Sequence, residues 1–211
     1  MSVVAIIPVR SLIDGKTRLA PVLDGAERYK FSARLLAHTL RTTAALAVNT
    51  MVVSRCLEAR EMAHASGAHN LFEVTRGGLN PALNRASKVA RARGAARILV
   101  LPADLPFVCL DDPHTLIWHA GRAGAAIAPD QLRDGTNALC IPAGHSFRFR
   151  FGVGSFFRHQ REAGKVGLDM AVVCRPSLAF DVDWPNDFSQ LKALEERNRG
   201  THFTAGLQNT T

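Results

Sequence analysis

The chain has 211 residues, of which 47% are hydrophobic and 21% are charged, and this composition excludes an intrinsically disordered protein. Its 26 Lys and Arg against 18 Asp and Glu give a formal net charge of +8, which favours anionic partners: phosphate esters, nucleic acid or an acidic membrane surface. Of the basic residues 21 are Arg. That bias suits phosphate and carboxylate recognition, although an arginine-biased genome would also produce it.

No membrane span is predicted, because the apolar run at residues 3–9 is interrupted by Pro8 and lacks a basic segment before it. This run is therefore interpreted as a first strand and not as a signal peptide. The cysteines lie far apart, at Cys56, Cys109, Cys140 and Cys174. Their spacing does not favour a structural zinc site, and reduced thiols in a cytoplasm are the simplest interpretation.

Strand-like and helical runs alternate along most of the chain. In the first half, strands are predicted at 2–8, 50–54, 71–74 and 97–101, separated by a polar loop at 10–24 and by helices at 29–46, 58–66 and 81–93. The second half is less regular, with a helix near 113–120, strands near 125–128 and 137–141, further strands, and a closing helix at 187–197. This order predicts a parallel, three-layer α/β domain.

We divide the predicted domain, residues 1–199, into two halves. A nucleotide-binding half covers residues 1–110, and an acceptor half covers residues 111–199. The last residues, 200–211, are predicted to be a frayed tail.

The polar loop after the first strand carries three basic side chains, Arg10, Lys16 and Arg18. Open α/β sheets bind ligands at the carboxyl ends of their strands, so these cations can neutralise a triphosphate there. The loop is neither a Walker A loop nor a Gly-x-Gly-x-x-Gly fingerprint, which argues against a simple ATPase or dehydrogenase. The alternative interpretation is a solvated basic loop.

Asp104 follows the apolar strand at 97–101 and lies between Pro102 and Pro106, which restrict the turn. A carboxylate at this place suits Mg²⁺, which takes one or two carboxylates and fills its shell with phosphate oxygens and water. The alternative is an Asp that forms a turn or caps a helix.

A second acidic segment lies near the end of the chain. Asp181 and Asp183 would project to the same face of a strand, and either can supply a second metal ligand. Equally, Asp183 or Asn186 can simply cap the closing helix.

Phe and Arg alternate over residues 147–151, so a strand there would have one aromatic and one basic face. The backbone N–H groups of Gly152 and Gly154 can turn towards an anion, and Ser155 can begin a helix whose N-terminus attracts phosphate. One rival is an RNA-stacking surface, because such surfaces interleave aromatic rings with Arg. A buried Phe face by itself also explains the phenylalanines.

The segment at residues 76–80, Arg-Gly-Gly-Leu-Asn, precedes a predicted helix. Its glycines let a base or ribose approach the backbone, and Asn80 can read a base edge. As a bare pattern it equally indicates a plain turn with Asn80 as a helix cap. No Ser/His/Asp arrangement and no His pair at metal spacing stands out among the eight histidines.

Taken together, these segments resemble the 2-phospho-L-lactate guanylyltransferase family of coenzyme F-420 biosynthesis. The resemblance runs through PVR…GKTRL, GGLN, LPADLP, DGTNAL, FGVGS and DVDWPND, in the family's order and over nearly the whole domain. It implies a single-domain, three-layer nucleotidyltransferase fold, GT-A-like and Rossmann-related, with a mixed, mainly parallel sheet. It also implies Mg²⁺-dependent transfer of GMP from GTP to 2-phospholactate, phosphoenolpyruvate or 3-phosphoglycerate, with release of diphosphate.

The resemblance also implies roles for individual residues. The metal would be held by Asp104 and Asp183. The GTP side would include Arg10, Lys16, Arg18, Gly77, Gly78, Leu79, Asn80 and Pro102, with Lys16 and Arg18 facing the phosphates. The acceptor would be held by Thr136, Gly152 and Ser155.

Three departures from the family pattern are visible. Arg10 stands where the opening motif usually has Lys, the DGxGTN run is shortened to residues 134–137, and Trp184 replaces a frequent Thr. The last two changes lie near the acceptor side, so they bear on the choice of acid and not on the reaction class.

The implied reaction needs no general base, because the acceptor phosphate is already an anionic nucleophile. Metal and cationic side chains that neutralise both phosphates would supply most of the catalysis. The rivals are another nucleotidyltransferase, such as a molybdenum cofactor guanylyltransferase, and an RNA-binding protein. We expect a cytoplasmic enzyme without a stable nucleic-acid or membrane partner, which hands a labile product to a downstream transferase.

Overall fold

The first strand, β1 (Val3–Val9), forms from a run of mostly apolar residues that is buried along nearly all its length, as in parallel sheets. The computed structural model describes residues 2–74 and 77–207, with side chains as far as residue 197. The further strands are β2 (Asn49–Ser54), β3 (His69–Phe72), β4 (Arg97–Val100), β5 (Gly124–Pro129), β6 (Thr136–Pro142) and β7 (Asp169–Val172).

Helices connect most of these strands. They are α1 (Gly25–Ala45), α2 (Leu57–Ala65), α3 (Leu79–Ala92), α4 (Asp111–Ala123), α5 (Ser155–Lys165), α6 (Pro176–Ala179) and α7 (Pro185–Leu207), with a short 3₁₀ helix at Thr17–Leu19. Among the described helices, none is both long and apolar enough to cross a membrane.

The strands form a seven-stranded sheet in the order β3-β2-β1-β4-β6-β5-β7. β6 runs antiparallel to β4 and β5, and the other neighbouring pairs are parallel. The sheet is therefore mixed and mainly parallel, which confirms the predicted fold class. Because β6 runs the other way, its first residues lie at the same edge as the carboxyl ends of β1, β4 and β5.

Both faces of the sheet are covered, which makes three layers. One face contacts α3 and α5, in a core that includes Ile6, Leu83 and Phe156. The other contacts α4, where Leu99 and Leu116 are buried together, and also α1 and α2. The loops at the carboxyl edge therefore start from strands that are packed on both faces.

The Phe- and Arg-rich segment at 147–151 is not a strand of the sheet, which corrects the sequence-based prediction. β6 is already paired on both sides, so this segment has no free strand to join there. Phe147 and Phe149 are instead buried in the core on the α3 and α5 face. Their rings cannot stack on RNA bases, so the feature that suggested an RNA-binding surface is explained by packing.

The closing helix α7 begins close to the predicted position but continues to Leu207. Residues 200–207 of the expected tail are therefore helical, and 208–211 lie outside the described residues. No proline follows Pro185 in the sequence, so no residue of the type that breaks helices most strongly ends α7 earlier.

Candidate active site

Three carboxylates converge at the carboxyl edge of the sheet. One oxygen each of Asp104, Asp181 and Asp183 lies within 4.8 Å of the others. Asp104 follows β4, and the other two lie between α6 and α7, in a loop and not in the predicted strand. The backbone joins these segments, because Val182 N donates to Asp104 O at 3.3 Å. The sequence left Asp181 and Asp183 as alternatives, and the fold brings both to Asp104.

Asn137, near the start of β6, holds Asp181 in this cluster. Its buried side-chain amide donates to Asp181 Oδ1 at 3.1 Å and also to the carbonyls of Leu178 and Ala179. A single amide therefore fixes both the carboxylate and the backbone that carries it.

Lys16 reaches the same carboxylates from the loop after β1. Its Nζ donates to Val182 O at 2.6 Å and to Asp183 Oδ1 at 2.9 Å, and it lies 3.8 Å from Asp104 Oδ2. Only 12% of the Lys16 side chain is exposed. The solvated position that its polar loop suggested is therefore wrong, because three oxygens draw the ammonium group inward.

Arg18 lies beside Lys16 but is more exposed. Its Nη1 is 3.4 Å from Asp183 Oδ2, and its guanidinium group lies 4.6 Å from the centroid of the Trp184 ring. Trp184, one of the departures from the family pattern, thus supports Arg18 by a cation–π contact. The side chain remains open to a ligand on its solvent side.

Asp187, in the first turn of α7, binds the backbone just before the helix. Its Oδ2 accepts from the N–H groups of Asp183 and Trp184, at 3.0 and 2.8 Å. The oxygens of the Asp183 carboxylate themselves accept from Lys16 and Arg18.

Burial, together with the neighbouring charges, shifts the pKa values of the site. Burial is the main cause that raises the pKa of Asp104, with Lys16 opposing and Asp183 adding to the rise. Burial, followed by repulsion from Asp104, raises the pKa of Asp181 to about 6. Burial lowers the pKa of Lys16, but attraction to Asp104 and Asp183 outweighs it and the net pKa is raised.

This donor set fits a divalent cation. Three hard carboxylate oxygens converge from two segments, and their mutual repulsion favours an ion of charge +2 between them. Mg²⁺ in proteins is bound by a few carboxylates and completes its shell with water and phosphate oxygens. Asp104, Asp181 and Asp183 would hold such an ion, with Lys16 and Arg18 beside it for the phosphates.

A second group of predicted residues lies around the start of β6 and of α5. Thr136 is buried, and its Oγ1 lies 3.0 Å from Nδ1 of His159. α5 begins at Ser155 as predicted, and Gly152 and Gly154 before it have φ values of 112° and 68°, which favour glycine.

The turn between β5 and β6 is tied to the start of α5. Asp134 Oδ2 accepts from Gly154 N at 2.9 Å, and Asp134 O accepts from Phe156 N. The Ser155 N–H donates to Gly152 O at 3.0 Å. Because that N–H already has an acceptor, the hydrogen bonds to an acid held here would come from the hydroxyls of Thr136 and Ser155 more than from the Ser155 N–H.

The predicted guanosine segment begins α3, at the same edge of the sheet. Gly78 has φ 83°, and a Cβ on Gly77 would lie 2.8 Å from Pro81 Cγ, so both positions require glycine. Asn80 does not present a free amide: it accepts from Phe151 N at 2.7 Å and donates to Phe151 O at 3.0 Å. Leu79 is exposed, and residue 76 lies outside the described residues.

The remaining predicted residues lie around this edge with fewer contacts. Arg10 is exposed directly after β1, and Pro102 is half-buried before Asp104. Hydrogen bonds and ion pairs join the predicted residues into two groups, one around Lys16 and the acidic cluster and one around Thr136. The adjacent residues Thr136 and Asn137 connect them.

His159 is the polar residue of this region that motif spacing missed. It lies in α5 on the same face as Phe156 and Ala163, which are three residues before it and four after it and are also buried. A histidine on the apolar stripe of a helix is the signal that could have found it.

Comparison with known proteins finds relatives that are similar over most of this chain. The chain is 37% identical over 195 residues to the phosphoenolpyruvate guanylyltransferase of Rubrobacter xylanophilus, covering 92% of this chain and 95% of that protein. It is 34% identical over 203 residues to the 2-phospho-L-lactate guanylyltransferase of Methanothermobacter thermautotrophicus, covering 96% and 88%. The 3-phospho-D-glycerate guanylyltransferase of Phenylobacterium zucineum is 33% identical over 189 residues, covering 87% and 86%.

A solved structure of CMP:2-keto-3-deoxy-manno-octonic acid synthetase has the same fold, with a TM-score of 0.63 at 14% identity and coverage of 94% of this chain and 100% of that one. At this identity the likeness shows the fold alone. The model of the family described as "Guanylyl transferase CofC like" matches residues 3–205. With that match over nearly the whole chain, and with relatives that are more than 30% identical, the chain belongs to the CofC-like guanylyl transferase family.

Proposed function

We propose that this chain transfers GMP from GTP to a three-carbon phospho acid in coenzyme F-420 biosynthesis, with Mg²⁺ as cofactor. The observation that carries the proposal is the cluster of Asp104, Asp181 and Asp183 with Lys16 and Arg18 against it. An acidic cluster with basic side chains beside it suits a metal-bound triphosphate.

The reaction forms one P–O bond and breaks another. A phosphate oxygen of the acceptor attacks the α-phosphorus of GTP, and the bond from that phosphorus to the β-phosphate oxygen breaks, so diphosphate leaves. No proton has to be removed from the nucleophile, which agrees with a site whose polar groups are mostly charged. The metal, when bound, supplies charge neutralisation at the phosphates.

The side chains of this chain orient and neutralise the reactants. Lys16 and Arg18 would balance charge on the leaving diphosphate, and the exposed Arg18 has room to move with it. The hydroxyls of Thr136 and Ser155 would orient the acid, since a phosphate next to a carboxylate needs several donors in a small space. Gly77 and Gly78 would let the guanosine approach the backbone before α3.

The acceptor is one of the acids named in the relatives: phosphoenolpyruvate, 2-phospho-L-lactate or 3-phospho-D-glycerate. The diphosphate-bridged product of such a transfer is labile, so we propose that a downstream transferase consumes it directly. The cytoplasmic location expected from the cysteine spacing stays a prediction.

The test is mass spectrometry of the products formed from GTP, Mg²⁺ and each acid in turn. We expect one acid to give a guanylylated product together with diphosphate, and no product when the metal is removed with a chelator. The downstream transferase is added in a parallel reaction so that a labile product is converted and detected. If none of the three acids then gave a product, the proposal would be contradicted.

A further inference from the structure

His159 lies behind the predicted acceptor site and is fully buried in α5. Phe147 stacks on its ring at 5.9 Å between centroids, and Phe151 contacts it edge-on at 4.8 Å. Its Nδ1 lies 3.0 Å from Thr136 Oγ1, and its Nε2 lies 2.9 Å from the backbone N of Arg150. The ring is therefore held in one orientation by two rings and two hydrogen bonds.

These two hydrogen bonds determine where the ring carries its proton. A backbone N–H can only donate, so Nε2 must be the unprotonated nitrogen that accepts from Arg150. A neutral imidazole then carries its hydrogen on Nδ1, and that N–H donates to Thr136 Oγ1. The protonated ring is excluded, because both of its nitrogens would be donors.

The surroundings of the ring favour the same neutral state. Burial, followed by repulsion from Arg158 and Arg150, lowers the pKa of His159 to about 4. The buried Glu162 forms an ion pair with Arg150, with 3.5 Å between Oε2 and Nε, and its negative charge partly offsets the repulsion between that arginine and a protonated ring. At neutral pH the ring is uncharged, as the hydrogen bonds require.

The direction of the hydrogen bond decides what Thr136 can offer a ligand. When its oxygen accepts from His159, the Thr136 hydroxyl hydrogen must point elsewhere and remains available as a donor. We propose that His159 is a positioning residue that holds the Thr136 hydroxyl as a hydrogen-bond donor to the anionic acceptor acid. The proposal rests on the proposed function, since it assigns the acid to Thr136.

The first test measures the tautomer in the wild-type protein without ligand. Long-range ¹H–¹⁵N correlation NMR of ¹⁵N-histidine-labelled protein at pH 7.5, assigned with His159→Gln, distinguishes the two ring nitrogens. We expect a protonated Nδ1 and an unprotonated Nε2. A protonated Nε2 in His159 would overturn the proposal, whatever the acceptor is.

The second test uses two matched substitutions that separate the two hydrogen bonds. His159→Gln can accept from Arg150 N but has no donor near Thr136, so the KM for the acid should rise about tenfold while the KM for GTP stays unchanged. His159→Asn places an amide N–H near the former Nδ1 but leaves Arg150 N without its acceptor. It should lower the free energy of unfolding and raise the acid KM less than His159→Gln does.

A double-mutant comparison shows whether His159 acts through Thr136. Thr136→Val should raise the acid KM, and adding His159→Gln should then raise it no further. A further independent rise, or equal KM effects of the Gln and Asn variants, would show that His159 has only a structural role. If the wild type turns over none of the acids, the proposed function itself fails; turnover with an unchanged KM in His159→Gln overturns only the role of His159.

Discussion

Asp181 and His159 show how burial acts on single ionisable groups in opposite directions. Burial favours the uncharged form of each, so the pKa of the acid rises to about 6 and the pKa of the base falls to about 4. His159 keeps its neutral form by two hydrogen bonds within the fold. Among the described residues, Asn137 donates a hydrogen bond to Oδ1 of the Asp181 carboxylate, and a cation bound beside Asp104 would stabilise the charged form of Asp181.

The acidic cluster predicts strong effects of charge removal. Asp104→Asn, Asp181→Asn and Asp183→Asn should each lower turnover by ~100-fold or more, because each would remove a proposed metal ligand from a site where we expect charge stabilisation to supply most of the catalysis. Calorimetric titration with Mg²⁺ and nucleotide should show weaker metal binding in parallel. Asp169→Asn, on the exposed side of β7, is the control, and near-normal turnover in any one of the three variants would remove that residue from the metal site.

Lys16→Ala should affect stability as well as catalysis. Without its ammonium group three carboxylates repel one another, and the free energy of unfolding should fall by about 1–3 kcal/mol in the absence of metal. Mg²⁺ should raise the melting temperature of this variant more than that of the wild type, because the ion replaces the missing positive charge. Lys30→Ala, on an exposed part of α1, serves as the control. An equal effect of Mg²⁺ on both proteins would contradict this account.

The pKa of His159 predicts how stability changes with pH. Its pKa falls from 6.5 to about 4 on folding, so between about pH 6.5 and pH 4 the unfolded chain binds a proton that the folded chain does not. The free energy of unfolding of the wild type should therefore fall between pH 7 and pH 4 by up to about 3 kcal/mol more than that of His159→Gln. Urea unfolding across this pH range measures the difference. The charged groups that face the ring, Arg150, Arg158 and Glu162, are present in both proteins, so the comparison isolates the titration of His159. If the free energy of unfolding depended on pH in the same way in both proteins, the pKa of His159 would not be lowered by folding.

At the scale of elements, the sequence predicted most strands and helices but not every pairing. The predicted helix at 81–93 and the strand at 97–101 lie within a few residues of α3 and β4. Residues 147–151 have the alternation of a strand, yet the neighbouring β6 is fully paired and the phenylalanines fill the core instead. Alternation of apolar and polar residues indicates that one set of side chains is buried, but the topology determines which segments join a sheet.

The site was predictable where side chains follow strands and unpredictable where they depend on distant contacts. Asp104 and Lys16 could be placed because they follow buried strands whose carboxyl ends share an edge. Asn137 reaches Asp181 across 44 residues, and Asn80 reaches Phe151 across 71. No local pattern encodes such pairs. The sequence left Asn80 as a reader of a base edge or as a helix cap, and the fold pairs its amide with the backbone of Phe151.

The contact between α3 and the segment before α5 can be tested through Asn80. Asn80→Ala removes two hydrogen bonds to the backbone of Phe151 and should lower the free energy of unfolding by about 1–3 kcal/mol, because partly buried groups lose their partners. Asn70→Ala, exposed on β3, should change it by less than about 0.5 kcal/mol. Chemical denaturation measures the free energy of unfolding of both variants. If Asn80→Ala lowered it as little as Asn70→Ala does, water would replace the Asn80 amide without cost in stability.

At the scale of the whole molecule, one sheet crosses the two predicted halves. β4, from the first half, pairs with β6 from the second, and the acidic cluster combines Asp104 with Asp181 and Asp183. The two predicted halves are therefore parts of one sheet and do not form two separate bodies. The site forms only when both halves are folded together, so neither half is expected to bind metal alone.

The paired hydrogen bonds of Asn80 with Phe151 join the segment predicted for guanosine to the one that leads to Gly152 and Ser155. A ligand that orders one segment reduces the entropy cost of ordering the other, so the two substrates should bind with positive cooperativity. Thermodynamic linkage makes the effect reciprocal: GTP strengthens acid binding by the factor by which the acid strengthens GTP binding. Calorimetry with a non-hydrolysable GTP analogue measures that factor, which should fall towards one in Asn80→Ala. By holding the two segments together, the Asn80 amide would thus favour the state in which both substrates are bound over either state in which only one is bound.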